Sequence, residues 1–177
     1  MINFSKKNRN SGFTLVELMV VIGIIGIIAV LAIPNFARIQ REARLRSACQ
    51  RTAQHFKQLR ERAISTNRTY HVDFPDQYTY RLIRPDSSTQ NFKLSGSGGG
   101  NIRFGGTGVA GQPPEANMAA PGINGIDFPP TRTLTIDGRG GATRGVVYIT
   151  DNRDNQAVGI NRLGRITTYV FSGGTWQ

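Results

Sequence analysis

From Phe13 to Ile33 the chain reads FTLVELMVVIGIIGIIAVLAI, 21 residues with a single charge, Glu17. As an α-helix rising ~1.5 Å per residue, this run is about 32 Å long, enough to cross the ~30 Å hydrocarbon core of a bilayer. Ahead of it stands MINFSKKNRNSG, residues 1–12, with three cations and no acid, a composition that favours the cytoplasmic side. Arg38, Arg41, Arg44 and Arg46 follow the run, partly offset by Glu42, so charge counting alone leaves the orientation open. A removed secretory signal has an apolar core of ~7–15 residues ending at a small-x-small cleavage site, and this run is longer. An acid near the bilayer centre costs roughly 2.5–3.5 kcal/mol, less toward an end where Glu17 stands. No partner for Glu17 lies within reach on its own segment, so one is expected on another chain.

Gly12 followed by Phe13-Thr14-Leu15-Val16-Glu17, after a short basic leader and before an unbroken apolar run, resembles the type III signal of type IV prepilins and type II secretion pseudopilins. The resemblance implies that a prepilin peptidase/methyltransferase cuts between Gly12 and Phe13 on the cytoplasmic side and methylates the new Phe13 amine. It also implies that Glu17 neutralises the N-terminal amine of a neighbouring subunit during assembly. The orientation then follows: a single pass through the inner membrane, with the N-terminus cytoplasmic and the rest outside until it enters a pilus or pseudopilus. Pro34 fits the same family, where a proline bends or melts the helix; chemically, its missing N–H and its clash one turn back predict a kink between Val30 and Pro34. Gly23 and Gly26 are spaced by three, which suits simple helix packing rather than a GxxxG dimer motif.

The 177 residues suit one ordinary domain plus an appendage. Loss of the leader removes three cations and takes the formal net charge from +11 to +8, which favours polyanions in general. Cys49 is the only cysteine, so the head holds together without an internal disulfide, and a lone helical thiol reads as a small buried apolar residue.

Past Pro34 the chain stays helical in character to Asn67, without Gly or Pro. Phe36, Ile39, Ala43, Ala48, Thr52, Phe56, Leu59 and Ala63 draw an apolar stripe expected to pack on the head. The cations along this stretch, from Arg38 to Arg68, read as a solvated face. From Thr69 onward β-prone stretches appear at 69–74, 78–83, 92–94, 132–137, 145–150, 157–163 and 165–171, separated by Pro75-Asp76, Asp137-Gly138, Asp151-Asn152 and Gly164. Between 95 and 130 the chain is rich in Gly, Pro, Asn and Ser, with only Asn101–Phe104 strand-like, so a long loop is expected.

The junction from Leu59 to Phe74 and the ending at Gly145–Thr150, Ala157–Asn161 and Gly164-Arg165-Ile166 resemble the minor pilin and pseudopilin group called GspH/FimT. The fold expected is α+β: a 1–12 leader, a 13–34 membrane and polymerisation helix, a 35–67 amphipathic continuation, and a 68–177 head of two small antiparallel sheets. Some members of that group bind DNA through a basic C-terminal region with Gly-Arg-x-Arg. Here the matching positions are Gly164-Arg165-Ile166-Thr167, without the second arginine. Arg139, Arg144, Arg153, Arg162 and Arg165 are the candidates for a basic patch, since arginines reach phosphates well.

No catalytic or cofactor pattern is present. Asp151-Asn152-Arg153-Asp154-Asn155 lacks the spacing of an EF-hand loop, the Gly96–Gly106 run has no GK[ST] ending, and His55 and His71 join no triad or metal spacing. The expected partners are the peptidase, other pilin or pseudopilin subunits, the inner membrane and, in a second reading, DNA. An exported soluble binding domain is the third reading.

Overall fold

Thr14 starts the first element. Its Oγ1 accepts a hydrogen bond from the Glu17 backbone N–H at 3.2 Å, satisfying one of the N–H groups a helix start leaves orphaned. Glu17 thus occupies the first turn of α1, Leu15–Thr66, where the helix dipole favours an acid. The structure, a computed structural model, describes residues 13–95, 101–117 and 124–177, omitting the side chains of 31–35. The leader with Gly12, and parts of the expected 95–130 loop, lie outside the described residues.

The helical run continues through Pro34. It ends where Asn67 takes φ 50°, with Arg68 N donating to Ala63 O and Asn67 N to Ile64 O, each at 3.2 Å, a left-handed cap that turns the chain into the sheet.

The chain divides into two units, Met1–Gln40 and Arg41–Gln177. In the first, the described apolar side chains from Leu15 to Val30 are all exposed, Leu15 at 74% and Val30 at 72%. Among the described residues no helix is long and apolar enough to cross a membrane; within the Phe13–Ile33 run, side chains are described only through Val30.

In the second unit, Leu45, Ala48, Cys49, Thr52, Ala53, Phe56, Leu59 and Ala63 are buried. Their spacing of three and four is one helix face. The expected stripe was right from Ala48 onward, but Phe36, Ile39 and Ala43 are exposed, and Leu45, Cys49 and Ala53 belong to the face in their place. The 3.6-residue period fits more than one set of apolar positions, and only the covering sheets decide between them.

A four-stranded sheet has the order β3-β2-β1-β6, with β1 Tyr70–Asp73, β2 Thr79–Ile83, β3 Thr89–Lys93 and β6 Leu134–Ile136. Its buried side alternates: Tyr70 and Val72, Tyr80 and Leu82, Leu134 and Ile136. The second sheet runs β10-β9-β8-β7-β4. Its strands are β4 Arg103–Phe104, β7 Gly145–Thr150, β8 Asn155–Ile160, β9 Ile166–Ser172 and β10 Thr175–Trp176, and β5 Ile126–Asp127 also pairs β7. Every described pairing is antiparallel.

β7 and β8 are buried on both sides. Val147, Ile149, Val158 and Ile160 join the core that includes the helix, while Val146, Tyr148 and Ala157 meet Ala116, Tyr169 and Trp176 on the other side. The described parts of the 95–130 stretch are therefore structured: they add β4 and β5 to the sheet edge and lay residues 113–117 over its outer face.

Candidate assembly and polyanion surfaces

Phe13, the residue expected to become the N-terminus, is 85% exposed. Glu17 is also exposed, one turn into α1. The cap at Thr14 holds the first turn in shape, so the acid sits at a fixed place beside an apolar surface that nothing in the described chain covers. Gly23 and Gly26 have no atom within 4 Å of where a Cβ would stand, leaving two shallow open notches on that surface.

The five candidate arginines do not form one patch. β7 pairs β8 with Gly145 opposite Ile160 and Thr150 opposite Asn155, so Arg144 and the 161–165 turn lie at one end of the hairpin and Arg153 at the other. Five strand steps of ~3.4 Å separate those ends by about 17 Å. Arg139 joins the first group, because Ala142 N donates to Arg162 O at 3.1 Å and one guanidinium bridges both turns: Arg60 Nε donates to Gly140 O at 2.9 Å and Nη2 to Leu163 O at 3.3 Å.

Arg144 is occupied elsewhere. Its Nη2 donates to Pro114 O at 2.8 Å and Ala116 O at 3.1 Å, and its Nε to Glu115 O at 3.2 Å. Those bonds fasten the 113–117 strap, which Tyr169 Oη holds from the other side by donating to Glu115 Oε2 at 2.7 Å. Burial, with the adjoining Glu115 carboxylate, pushes the Tyr169 hydroxyl up to about 12, so it remains a donor at every ordinary pH.

Arg139, Arg162 and Arg165 are exposed, and none of the three side chains has a hydrogen-bond or ion-pair partner among the described residues. A groove of about 500 Å³ beside them is lined by Arg144, Arg162, Thr135, Thr143 and Asp137. The turn that carries Arg162 and Arg165 is rigid: Asn161 Oδ1 accepts from Leu163 N and Arg165 N, both at 3.0 Å, and Asn161 N donates to Arg165 O at 3.1 Å. At its tip Leu163 is 80% exposed.

Gly164 has φ 73°, and a Cβ there would strike Gly140 O and the Arg60 side chain. The Gly of the Gly-Arg pair is thus required for docking the turn on the helix. Sequence reasoning treated Arg60 as part of a solvated face; its role as clamp needed the two turns to be brought together, and no local signal marks it.

Other buried polar groups support the head. Cys49 donates its thiol to Ala157 O at 3.6 Å, and burial pushes the thiol up to about 12, in keeping with an inert core residue. His55 Nδ1 and Tyr80 Oη are hydrogen-bonded at 2.6 Å, with burial and nearby Arg51 holding the imidazole below its usual range. Among the described residues, no group of three or more His, Cys, Asp or Glu is placed to hold a metal ion.

A long N-terminal helix whose later part packs on a two-sheet antiparallel head is a pilin-like fold. The prokaryotic N-terminal methylation motif matches residues 7–33. In three dimensions the chain is similar to the type IV minor pilin FimU of Pseudomonas aeruginosa, at 13% identity with a TM-score of 0.50, covering 78% of this chain and 96% of that one. A second crystal form of the same pilin gives 13% identity, 75% and 97% coverage and a TM-score of 0.47. At this identity the likeness is one of fold. No curated protein matches the chain in sequence.

Proposed function

We propose that this chain is a non-enzymatic minor pilin or pseudopilin subunit. It is cut between Gly12 and Phe13, methylated on the Phe13 amine, held in the inner membrane by residues 13–34, and drawn into a pilus or type II secretion pseudopilus in a tip or priming position. One observation carries this reading: the apolar side chains from Leu15 to Val30 are exposed on every side of their helix. Each such side chain gains roughly 1.5–3 kcal/mol when covered, so an uncovered helix of this kind demands lipid, and then other subunits, around it.

Glu17 is the one charge in that surface. Pairing with the amine of an adjacent subunit removes the cost of burying it alone. Replacing Glu17 by Gln should leave membrane insertion intact and reduce recovery of the chain in sheared surface filaments at least tenfold. Equal recovery would refute the pairing. The bend at Pro34 belongs to the same reading, as the place where the anchor yields when subunits pack.

A second reading, DNA binding, is favoured by Arg139, Arg162 and Arg165 gathering at one end of the head with no hydrogen-bond or ion-pair partners among the described residues. Guanidinium groups so placed suit phosphates, and their binding should weaken steeply with salt. The test is a titration of the detergent-solubilised chain with duplex DNA at several salt concentrations. Affinity that persists unchanged in the triple Gln variant of those three residues would exclude this surface.

A further inference from the structure

Arginines just outside the apolar run are unexpected for a segment whose far side is non-cytoplasmic, and the fold gives two of them company. Arg41 and Arg44, three apart and therefore on one helix face, line a groove of about 320 Å³ together with Arg153, Asp151, Asn101 and Ile102. Arg153 comes from the far end of the β7–β8 hairpin, over a hundred residues away in sequence.

The turn bearing it is firmly built. Asp151 Oδ1 accepts from Arg153 N at 2.9 Å and Asp154 N at 2.8 Å, Thr150 Oγ1 donates to Asp154 O at 3.0 Å, and Arg103 Nη2 donates to Asn152 Oδ1 at 2.8 Å. None of the Arg41, Arg44 and Arg153 side chains has a hydrogen-bond or ion-pair partner among the described residues. Three cations facing one groove with one carboxylate repel each other unless an anion enters.

Guanidinium forks match the paired oxygens of a phosphate. Arg41 stands eight residues past Ile33, about 12 Å of helix. The headgroup layer extends ~5–8 Å beyond the hydrocarbon, and a long arginine side chain spans the difference.

We propose that this groove binds the phosphate of an anionic phospholipid headgroup on the outer face of the inner membrane, seating the head on the bilayer before assembly. The inference rests on the membrane-anchored reading above. Position favours lipid over a soluble polyanion: the cluster uses the helix residues that leave the apolar run, whereas Arg139, Arg162 and Arg165 lie at the opposite end of the β7–β8 hairpin.

The test reconstitutes the full chain into nanodiscs of phosphatidylcholine alone or mixed with phosphatidylglycerol. Insertion is scored first, by co-elution with the discs. Trypsin cleavage after Arg153 is then followed by mass spectrometry relative to cleavage after Arg139. The ratio should fall about fivefold or more in the anionic discs, and the Arg41→Gln/Arg44→Gln variant, which keeps the Arg153 site, should lose that protection.

An inserted chain with equal ratios in both lipids, or protection that survives the double variant, overturns the inference alone. Protection reproduced in phosphatidylcholine discs by inorganic phosphate or duplex DNA overturns the assignment to lipid. A chain that does not co-elute with the discs overturns the anchoring reading and this inference with it.

Discussion

Arg60 sends Nε to Gly140 O and Nη2 to Leu163 O, so one helix side chain pins two turns of the head, and Gly164 keeps the space it needs. Replacing Arg60 by Met should cost about 1–3 kcal/mol, since it strands two carbonyls that a charged donor served. A Gly164→Ala change should cost at least as much, because Cβ meets Gly140 O in a backbone region that disfavours side chains. Urea midpoints at constant slope measure both.

His55 gives a different readout. An imidazole held below its ordinary value rejects a proton that the unfolded chain accepts, so its contribution is complete above pH ~6.5 and fades as pH falls from there through the folded value. Stability should therefore drop between pH 7 and pH 5 more steeply in the native chain than in His55→Gln; parallel curves would exclude the effect.

Cys49, with its thiol near 12 and its place under β8, should resist iodoacetamide at pH 8 until the chain is unfolded. Labelling in the folded state would contradict its burial.

At the scale of the element, the 113–117 strap depends on bonds from Arg144 and Tyr169. Arg144→Gln should speed amide exchange in residues 113–117 and expose Val146 and Tyr148 beneath, while β1–β3 exchange as before. Uniform acceleration across both sheets would mean that the strap is not a separate unit.

The elements differ in how far the sequence revealed them. Val146-Val147-Tyr148-Ile149, closed by Gly145 and by Asp151-Asn152, spells out β7 with its observed limits. β8 starts at Asn155, two residues before the expected Ala157, because Asn155 reads locally as turn yet is buried, as is Gln156: Asn155 exchanges hydrogen bonds with the Thr107 backbone at 2.9 and 3.0 Å. β5 has two residues and exists only through its register with Val146 and Val147, so no local pattern announces it. The helix face failed at Phe36, Ile39 and Ala43 for a related reason, as burial there depends on what lies over the helix rather than on periodicity. The candidate site followed the same rule: arginines were visible one by one, but their division into Arg139, Arg162 and Arg165 at one end, Arg153 with Arg41 and Arg44 at the other, and Arg144 as a fastener came from strand pairing.

The whole molecule combines two unlike parts, an apolar helix that water rejects and a basic remainder, and without residues 1–12 the chain carries a formal charge of +8. Such a chain gains by leaving its apolar segment in lipid, or among copies of similar helices, while the head stays in water. The mature N-terminus records which course it takes. In a purified filament or membrane fraction, mass spectrometry should find the chain beginning at Phe13 and heavier there by one methyl group. A mature chain beginning beyond Ala32, with the apolar run removed, would contradict the account.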